Sequence, residues 1–276
     1  MSTPAIATVT RAASLSPHLR RITLDVHGWT TSGVPDESVI LHLPGAVDDH
    51  GDHTHPAQRH YTIRAARPAE GGSEIDIDVV VHGDGPGSTW GAAAQSGEQI
   101  GVAASKDYYG PPAGSTRRLL LSDHTGLPAV ARILEQASAA EAFTVAIELP
   151  DSADRIDLPS AASIDVEWIV GGNGRPSRLL STMERMGAPE PETYVWIACE
   201  SAASRRMRAF VREHWTRDIA WYRIVGYWHG AQDEYIRAWH LATEEQRAEY
   251  ERLWDPTRPD EENWLEAEPF LQRMGL

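Results

Sequence analysis

A six-residue segment, 59–64, combines residue types that suit the binding of a flat ring carrying a phosphate. Because side chains alternate between the two faces of a β-strand, Arg59, Tyr61 and Ile63 would share one face. An arginine can pair with a phosphate, and a tyrosine can cover a flat ring. Thr62 offers a hydroxyl and a backbone N–H at the ring edge, next to His60. The alternative is an exposed strand without a ligand, which this segment alone does not exclude.

A glycine-rich stretch, 81–90, follows and is a candidate for holding phosphates. Glycines let the backbone approach a ligand closely, and Ser88 or Thr89 could cap a following helix. Free N–H groups at a helix start bind anions. The alternative is a capped turn with no ligand. The candidate residues are His82, Gly83, Gly85, Gly87, Ser88 and Thr89.

Two further segments place polar residues where predicted strands end. The segment 119–129 is a strand, a polar turn with Asp123 and Thr125, and a helix start, but it lacks the G-x-G-x-x-G fingerprint. The segment 194–201 ends a strand at Cys199, for which we favour a small buried residue over a reactive thiol. Trp228 ends the last strand, where it would cover a flat ring or pack in the core.

Together and in this order, the four segments resemble the siderophore-interacting family of FAD-binding reductases. Its members carry R-x-Y-T, H-G-x-G-P-A-x-x-W, D-E-T-A-L-P, W-x-A-G-E and G-Y-W-R-x-G stretches, and the resemblance spans roughly Ala5 to Gly230. It implies an FAD-binding barrel, then a nicotinamide-binding α/β domain. It implies that Asp123 and Thr125 hold the adenosine end of FAD. The implied FAD contacts are Arg59, His60, Tyr61, Thr62, His82, Gly83, Gly85, Gly87, Ser88, Thr89 and Trp228.

The chain departs from this family pattern at four positions. His124 and Gly126 replace Glu and Ala, Cys199 replaces Gly, and His229 replaces Arg. The resemblance implies basic residues near the flavin that attract an anionic ferric siderophore. His229 and Lys106 are therefore the candidate substrate-binding residues, although for Lys106, as a lone lysine, we favour a solvated loop residue.

A polar loop before the first candidate segment contains three imidazoles. His50, His53 and His55 stand among Asp residues, a mixture that could ligate a transition metal. Because the loop has glycine and no rigid scaffold, we favour an insertion without a metal and predict no metal site.

The elements that must position these residues change character along the chain. Residues 1–115 show short strands with turn signals between them, which is typical of an antiparallel β-barrel. Residues 116–276 alternate strands and helices, which indicates a parallel sheet covered by helices. A Pro- and Gly-containing linker near 111–117 separates the two. From about residue 233 we expect one amphipathic helix through Trp239, Tyr250 and Trp254, docked on the body or on a second subunit.

Composition excludes several classes of protein. The formal net charge of −15 disfavours binding to nucleic acid or to an anionic membrane surface. One cysteine allows neither an internal disulfide nor a cysteine-ligated iron–sulfur cluster, so redox chemistry needs a bound cofactor. With no long apolar run and no apolar signal segment, we expect a cytoplasmic protein without membrane insertion.

The resemblance implies hydride transfer from NADH or NADPH to FAD, with Thr62 near flavin N5, and then single-electron transfer to Fe(III) in a siderophore. No residue needs to act as a proton-transfer catalyst. Two alternatives stay open: an FAD reductase with another acceptor, such as a general ferric or quinone reductase, and a flavin-bearing siderophore carrier that does not turn over. The choice of nicotinamide, the siderophore and the oligomeric state are also open.

Overall fold

The structure, a computed structural model, describes residues 4–47, 56–83, 85–171, 176–230 and 232–276. Its N-terminal part is a closed antiparallel barrel with the strand order β1-β2-β5-β4-β3-β6. This confirms the predicted barrel. The strands are β1 (Ala5–Ser16), β2 (Leu19–His27), β3 (Ser38–Val47), β4 (Pro56–Ala69), β5 (Gly72–Val80) and β6 (Gln99–Ala104).

Apolar and acidic residues alternate along β5, so they lie on opposite faces of the barrel wall. Ile75, Ile77 and Val79 point inward and are wholly buried in the barrel core. The intervening Asp76 and Asp78 are also buried, rather than solvated as a half-buried strand would have them. Arg67 and Arg21 bind these carboxylates on the outer face. Ion pairs therefore cover this part of the barrel.

Strand β6 was absent from the expected elements, yet it closes the barrel by pairing with β1 and β3. It is short, and only Ile100 and Val102 alternate inward. Two apolar residues give a weak period-2 signal, so the long-range pairing, and not local sequence, defines this strand.

The helix α1 (Pro86–Ala93) follows β5 and rests on the barrel through Trp90. It begins at Pro86 with Gly85 as N-cap, which leaves its first turn without a side-chain cap. The expectation that Ser88 or Thr89 caps it is wrong, because both lie inside the helix. Proline at the first helical position fixes the helix start two residues earlier.

The rest of the chain builds a parallel sheet, as predicted, and its five strands have the order β11-β10-β7-β8-β9. Helix α2 ends at Gln136, and α4 continues as one π-helical turn over Val211–Trp215. The elements are β7 (Arg117–Ser122), α2 (Leu127–Gln136), β8 (Ala142–Leu149), β9 (Ser163–Val170), α3 (Leu179–Met186), β10 (Thr193–Glu200), α4 (Ser201–Phe210) and β11 (Tyr222–Trp228).

The strand order reverses between β7 and β10. From β7 the chain moves outward through β8 and β9, then returns past β7 to form β10 and β11. Helix α2 covers one face of the sheet, and α3 and α4 cover the other. In open α/β sheets ligands bind outside the carboxyl ends of the strands at such a switch point.

Buried contacts lock the barrel onto the sheet. Asp36, before β3, is wholly buried and accepts hydrogen bonds from the backbone N–H groups of Tyr108 and Tyr109 and from the Trp196 indole of β10. Burial raises the pKa of Asp36, and these three donors partly offset that effect. The predicted division at residues 115 and 116 falls between β6 and β7, and it stays a prediction.

The C-terminal tail contains three helices, α5 (Gln232–Leu241), α6 (Glu244–Leu253) and α7 (Asp260–Arg273). The expected single helix is wrong, because Thr243 starts a new one: its side chain and that of Gln246 form a capping box. The tail docks on the body, where Glu261 of α7 accepts hydrogen bonds from Arg208 and from the Ile224 N–H of β11.

In the part of the chain that the structure describes, no helix has both the length and the apolar character needed to cross a membrane.

Candidate functional site

The first candidate segment and the glycine-rich stretch meet in the structure. Arg59 and Tyr61 of β4 both lie against Gly87 of α1, where an added Cβ would overlap the Tyr61 hydroxyl and would lie 3.5 Å from Arg59 Cγ. Only glycine allows this approach of helix to strand. Burial raises the pKa of Tyr61, so its phenol is neutral. The fold thus brings together three of the residues expected to contact FAD.

The start of α1 has the properties of an anion site. Among the described residues no side chain caps its N-terminus, where the helix dipole and the N–H groups favour an anion. Ser88 accepts a hydrogen bond from the His82 N–H at 2.7 Å, which ties the stretch back on the helix. Asp84 lies outside the described residues.

Thr62 is 7% exposed, and its side chain lies close to that of Tyr227 in β11. Its neighbour Ile63 accepts a hydrogen bond from the buried Arg132 of α2 at 2.7 Å, through its carbonyl oxygen. Contacts from β11 and α2 therefore hold β4 at Thr62 and Ile63. His60 points to the exposed surface and contacts Ser105 at 2.9 Å.

The switch-point region comprises residues 122–126, 199–201 and 226–230, and Asp123 lies at its centre. Asp123 Oδ1 accepts hydrogen bonds from the N–H and hydroxyl of Thr125, at 2.9 and 2.6 Å. Its Oδ2 accepts from the Glu200 N–H at 2.9 Å and from the Trp228 indole at 2.8 Å. Burial raises the pKa of Asp123, against the effect of these donors. The carboxylate joins the ends of β7, β10 and β11.

Glu200 fixes the last loop of this region. Its carboxylate accepts hydrogen bonds from the Ala203 N–H at 2.9 Å and the Gly230 N–H at 3.1 Å. Burial opposes its charge, but the backbone donors outweigh that effect and lower the pKa of Glu200. Cys199 beside it is wholly buried, and burial raises the pKa of its thiol, as the interpretation of a small buried residue requires.

Trp228 and His82, both expected to contact FAD, lie close together. The Trp228 and His82 rings are 5.7 Å apart, so the end of β11 contacts the stretch that precedes α1. His124, in the turn after β7, is 6% exposed, and neither ring nitrogen has a hydrogen-bond partner among the described residues. Burial lowers its pKa to about 4.

Of the two expected substrate residues, Lys106 is exposed and His229 is half-buried. Lys106 Nζ is 3.7 Å from Asp260 of α7, and its side chain is 64% exposed. The His229 ring stacks on Tyr235 of α5 at 4.1 Å between centroids. Their roles toward a substrate stay predictions, as do those of the FAD contacts.

His50, His53 and His55 lie outside the described residues. Within those residues, no group of three or more His, Cys, Asp or Glu side chains is arranged to hold a metal ion. A cavity of about 520 Å³ lies at the opposite end of the parallel sheet, lined by Arg117, Ala142 and Ser163 at the strand starts. Ligands of such sheets bind at the other end.

Four residues that position the site are not recognisable from the sequence. Asp36, Arg132, Glu200 and Tyr227 hold the strand and loop ends, yet each stands alone in sequence beside ordinary neighbours. Glu200 and Tyr227 at least fall in the segments singled out as strand ends. Asp36 and Arg132 act between sequence-distant elements and gave no local signal.

Three features of the structure fit a bound FAD. The contact of Tyr61 with Gly87 provides a ring beside a close backbone approach, and the uncapped start of α1 suits a pyrophosphate. The third is the buried imidazole of His124, which needs a hydrogen-bond partner. All three lie where the barrel meets the switch-point region.

Comparison with known proteins agrees with this arrangement. The family model described as siderophore-interacting protein matches residues 116–231, and that of the siderophore-interacting FAD-binding domain matches residues 45–107. Together the two models cover more than half of the chain.

The relatives and one solved structure span nearly the whole chain. The ferric vibriobactin reductase of Vibrio cholerae is 26% identical over 88% of this chain and 96% of its own. The NADPH-dependent ferric-chelate reductase of Escherichia coli is 25% identical over 80% and 91%. The crystal structure of the siderophore-interacting protein SipS from Aeromonas hydrophila superposes with a TM-score of 0.69, at 27% identity over 89% and 98%.

The matched FAD-binding domain includes β4 and α1, which carry the Tyr61–Gly87 contact. The second model covers the switch-point region and its buried carboxylates. FAD is therefore the cofactor, and the chain belongs to the siderophore-interacting protein family.

Proposed function

We propose that the protein is an FAD-dependent oxidoreductase that carries electrons from NADH or NADPH to Fe(III) bound by a siderophore, and so releases the iron. The observation that carries this proposal is the meeting of β4 and α1 with the switch-point region, where the His82 and Trp228 rings are in contact and Thr62 lies close to Tyr227. The names of the reductases from Vibrio cholerae and Escherichia coli support it.

The barrel residues would bind and orient the cofactor. The start of α1 would receive the pyrophosphate, with Arg59 as the nearby cation. Gly87 lets this helix start come close to β4, which carries Arg59. Tyr61, neutral and largely enclosed, would cover one face of the flavin ring. Thr62 would lie at the ring edge, held there by Tyr227.

The sheet residues would admit the nicotinamide nucleotide. The strand order reverses between β7 and β10, and Asp123 holds the ends of these strands in one arrangement through backbone and indole donors. Glu200 holds the loop at Gly230 in the same way. Asp123 is thus a positioning residue, since its oxygens are already occupied within the chain.

Bound FAD would supply the chemistry that converts two-electron donation by a nicotinamide into single-electron transfer to iron. The chain contributes binding, orientation and exclusion of water. No side chain has to move a proton at the iron, so we assign no proton-transfer catalyst. Lys106 and His229 are the proposed contacts to the ferric siderophore.

A second acceptor class is favoured by the charge of the chain. The formal net charge is −15, and Asp260 lies against Lys106, so attraction for a highly anionic ferric chelate is weak. A reductase of neutral ferric chelates or of quinones has the same cofactors and the same electron path up to the acceptor.

The test follows the flavin absorbance of the purified protein under anaerobic conditions. We expect NADH or NADPH to bleach the flavin bands and a ferric siderophore to restore them, faster than ferric citrate or a quinone does. Recovery only with the quinone would contradict the siderophore assignment. Flavin bands that no nicotinamide bleaches would instead indicate a carrier without turnover.

A further inference from the structure

His124 is a buried side chain whose hydrogen-bonding capacity is unused. It is 6% exposed, and both Nδ1 and Nε2 are shielded from solvent without a partner among the described residues. An unpaired buried polar group costs free energy, so native proteins almost always provide it with a partner. One residue earlier, Asp123 accepts four hydrogen bonds.

The neighbours of His124 are already engaged with one another. The titratable groups that face it are Asp154, His18 and His82, from the β8–β9 loop, the β1–β2 turn and the segment before α1. Asp154 accepts hydrogen bonds from the hydroxyl of Ser16 and from the N–H of His18, and its other oxygen is 2.8 Å from His18 Nδ1. None of these groups forms a hydrogen bond with His124.

The position of His124 points to a nucleotide ligand. It lies in the turn after β7, at the switch point, where ligands of open α/β sheets bind. On the barrel side it faces His82, whose N–H is bonded to Ser88 of α1 and whose ring contacts Trp228. His82 thus connects the surroundings of His124 with the helix start that suits a pyrophosphate.

The imidazole is neutral at physiological pH, because burial lowers its pKa to about 4. The charge of Asp154 acts in the opposite direction, and His18 and His82 act in the same direction as burial. A neutral imidazole has one N–H donor and one acceptor nitrogen. It can therefore donate a hydrogen bond to a phosphate or ribose oxygen without bringing a charge into the interface.

We propose that His124 is an FAD-binding residue of this chain, which donates a hydrogen bond to an oxygen of the phosphate–ribose part of the cofactor. The inference rests on FAD as the cofactor and is independent of the nicotinamide and of the electron acceptor. It assigns a role to a position at which this chain departs from the family pattern D-E-T-A-L-P.

The proposal makes opposite predictions for folding and for binding. Without FAD, His124 is a buried group with no partner, so replacing it by leucine should stabilise the fold. With FAD, the same change removes a hydrogen bond. A residue with a purely structural role would lose stability on replacement and would leave FAD affinity unchanged in the folded protein.

The experiment compares the wild type with His124→Leu and His124→Gln as holoenzymes. Urea unfolding midpoints measured at a series of added FAD concentrations give both the FAD dissociation constant and the midpoint extrapolated to zero FAD. For His124→Leu we expect about tenfold weaker FAD binding, or about 1.4 kcal/mol, together with a higher extrapolated midpoint. His124→Gln, which keeps a donor, should bind FAD within about threefold of wild type.

The control is Trp29→Phe, which removes another buried donor without a partner at the opposite end of β2 from His18. Nine residues of strand span roughly 27–30 Å, so this variant should leave FAD affinity unchanged. Wild-type FAD affinity in His124→Leu, or a loss confined to nicotinamide binding, would overturn the proposal while leaving the proposed function standing. A wild type that binds no FAD would overturn both.

Discussion

Two buried polar clusters of this protein differ in how their carboxylates are neutralised or held. Where the tail docks, Arg208 is 1% exposed and pairs with Glu261 and Glu268, so charge meets opposite charge. In the switch-point region, the buried carboxylates of Asp123 and Glu200 are held by N–H, hydroxyl and indole groups, which carry no net charge.

The difference has a functional meaning. A buried ion pair neutralises itself and leaves nothing for a ligand, so the tail cluster serves only to fasten α7 to α4 and β11. Carboxylates held by neutral donors fix the loop ends in place, next to the His124 imidazole, which has no hydrogen-bond partner among the described residues. The first cluster joins parts of the fold, and the second prepares a binding surface.

The largest expected effect comes from breaking the tail cluster. Arg208→Met leaves Glu261 and Glu268 buried with only Arg212 beside Glu268, and we expect a loss of about 3–5 kcal/mol in the free energy of unfolding. Urea unfolding measures this loss. Arg273→Met, which removes an exposed pair with Glu249, is the control and should change stability by less than about 1 kcal/mol. Equal losses would remove the distinction between buried and exposed pairs.

A smaller effect is expected at the contact of strand and helix. Gly87→Ala places a methyl group on the Tyr61 hydroxyl, and such overpacking costs about 1–3 kcal/mol. Because the tyrosine must move, we expect FAD to bind roughly tenfold more weakly, as measured by fluorescence titration. Gly110→Ala, where an added Cβ meets no atom within 4 Å, should bind FAD normally. Wild-type FAD affinity in Gly87→Ala would show that the Tyr61–Gly87 contact is not part of the FAD site.

The smallest effect is a pH-dependent one at Glu200. Its pKa is lowered below the ordinary value of 4.5, so ionised Glu200 stabilises the fold above that pH, and the contribution is lost as pH falls toward the lowered pKa. Glu200→Gln should therefore cost about 1–2 kcal/mol at pH 7 and progressively less below pH 4.5. Urea unfolding across this range checks it; a cost independent of pH would mean that the charge is irrelevant.

Much of the fold was predictable because its signals are local. The apolar alternation of β5 and the glycines before α1 are patterns of residues adjacent in sequence. The second half is recognisable from its alternating strands and helices. Strand β6 and the break at Thr243 were missed. The first depends on pairing with β1 and β3, and the second on a cap that interrupts an apparently continuous amphipathic pattern.

The candidate site was predictable only in part, for the same reason. Motif residues such as Tyr61 and Gly87 stand in recognisable segments, and the structure brings them together. Asp36 and Arg132 connect the barrel to the sheet across long stretches of sequence. No local pattern reveals such contacts, since each depends on how two separately folded layers pack.

The most direct test of the comparison measures FAD affinity for Asp123→Asn and Arg208→Met side by side, at a temperature where both remain folded. Asp123→Asn turns one acceptor oxygen into a donor, which then faces either the Thr125 N–H or the Glu200 N–H and the Trp228 indole, so the strand ends should be held less tightly. We expect FAD affinity to fall about tenfold or more in this variant and to stay at the wild-type value in Arg208→Met. Unchanged affinity in Asp123→Asn, or equal losses in both, would contradict the account.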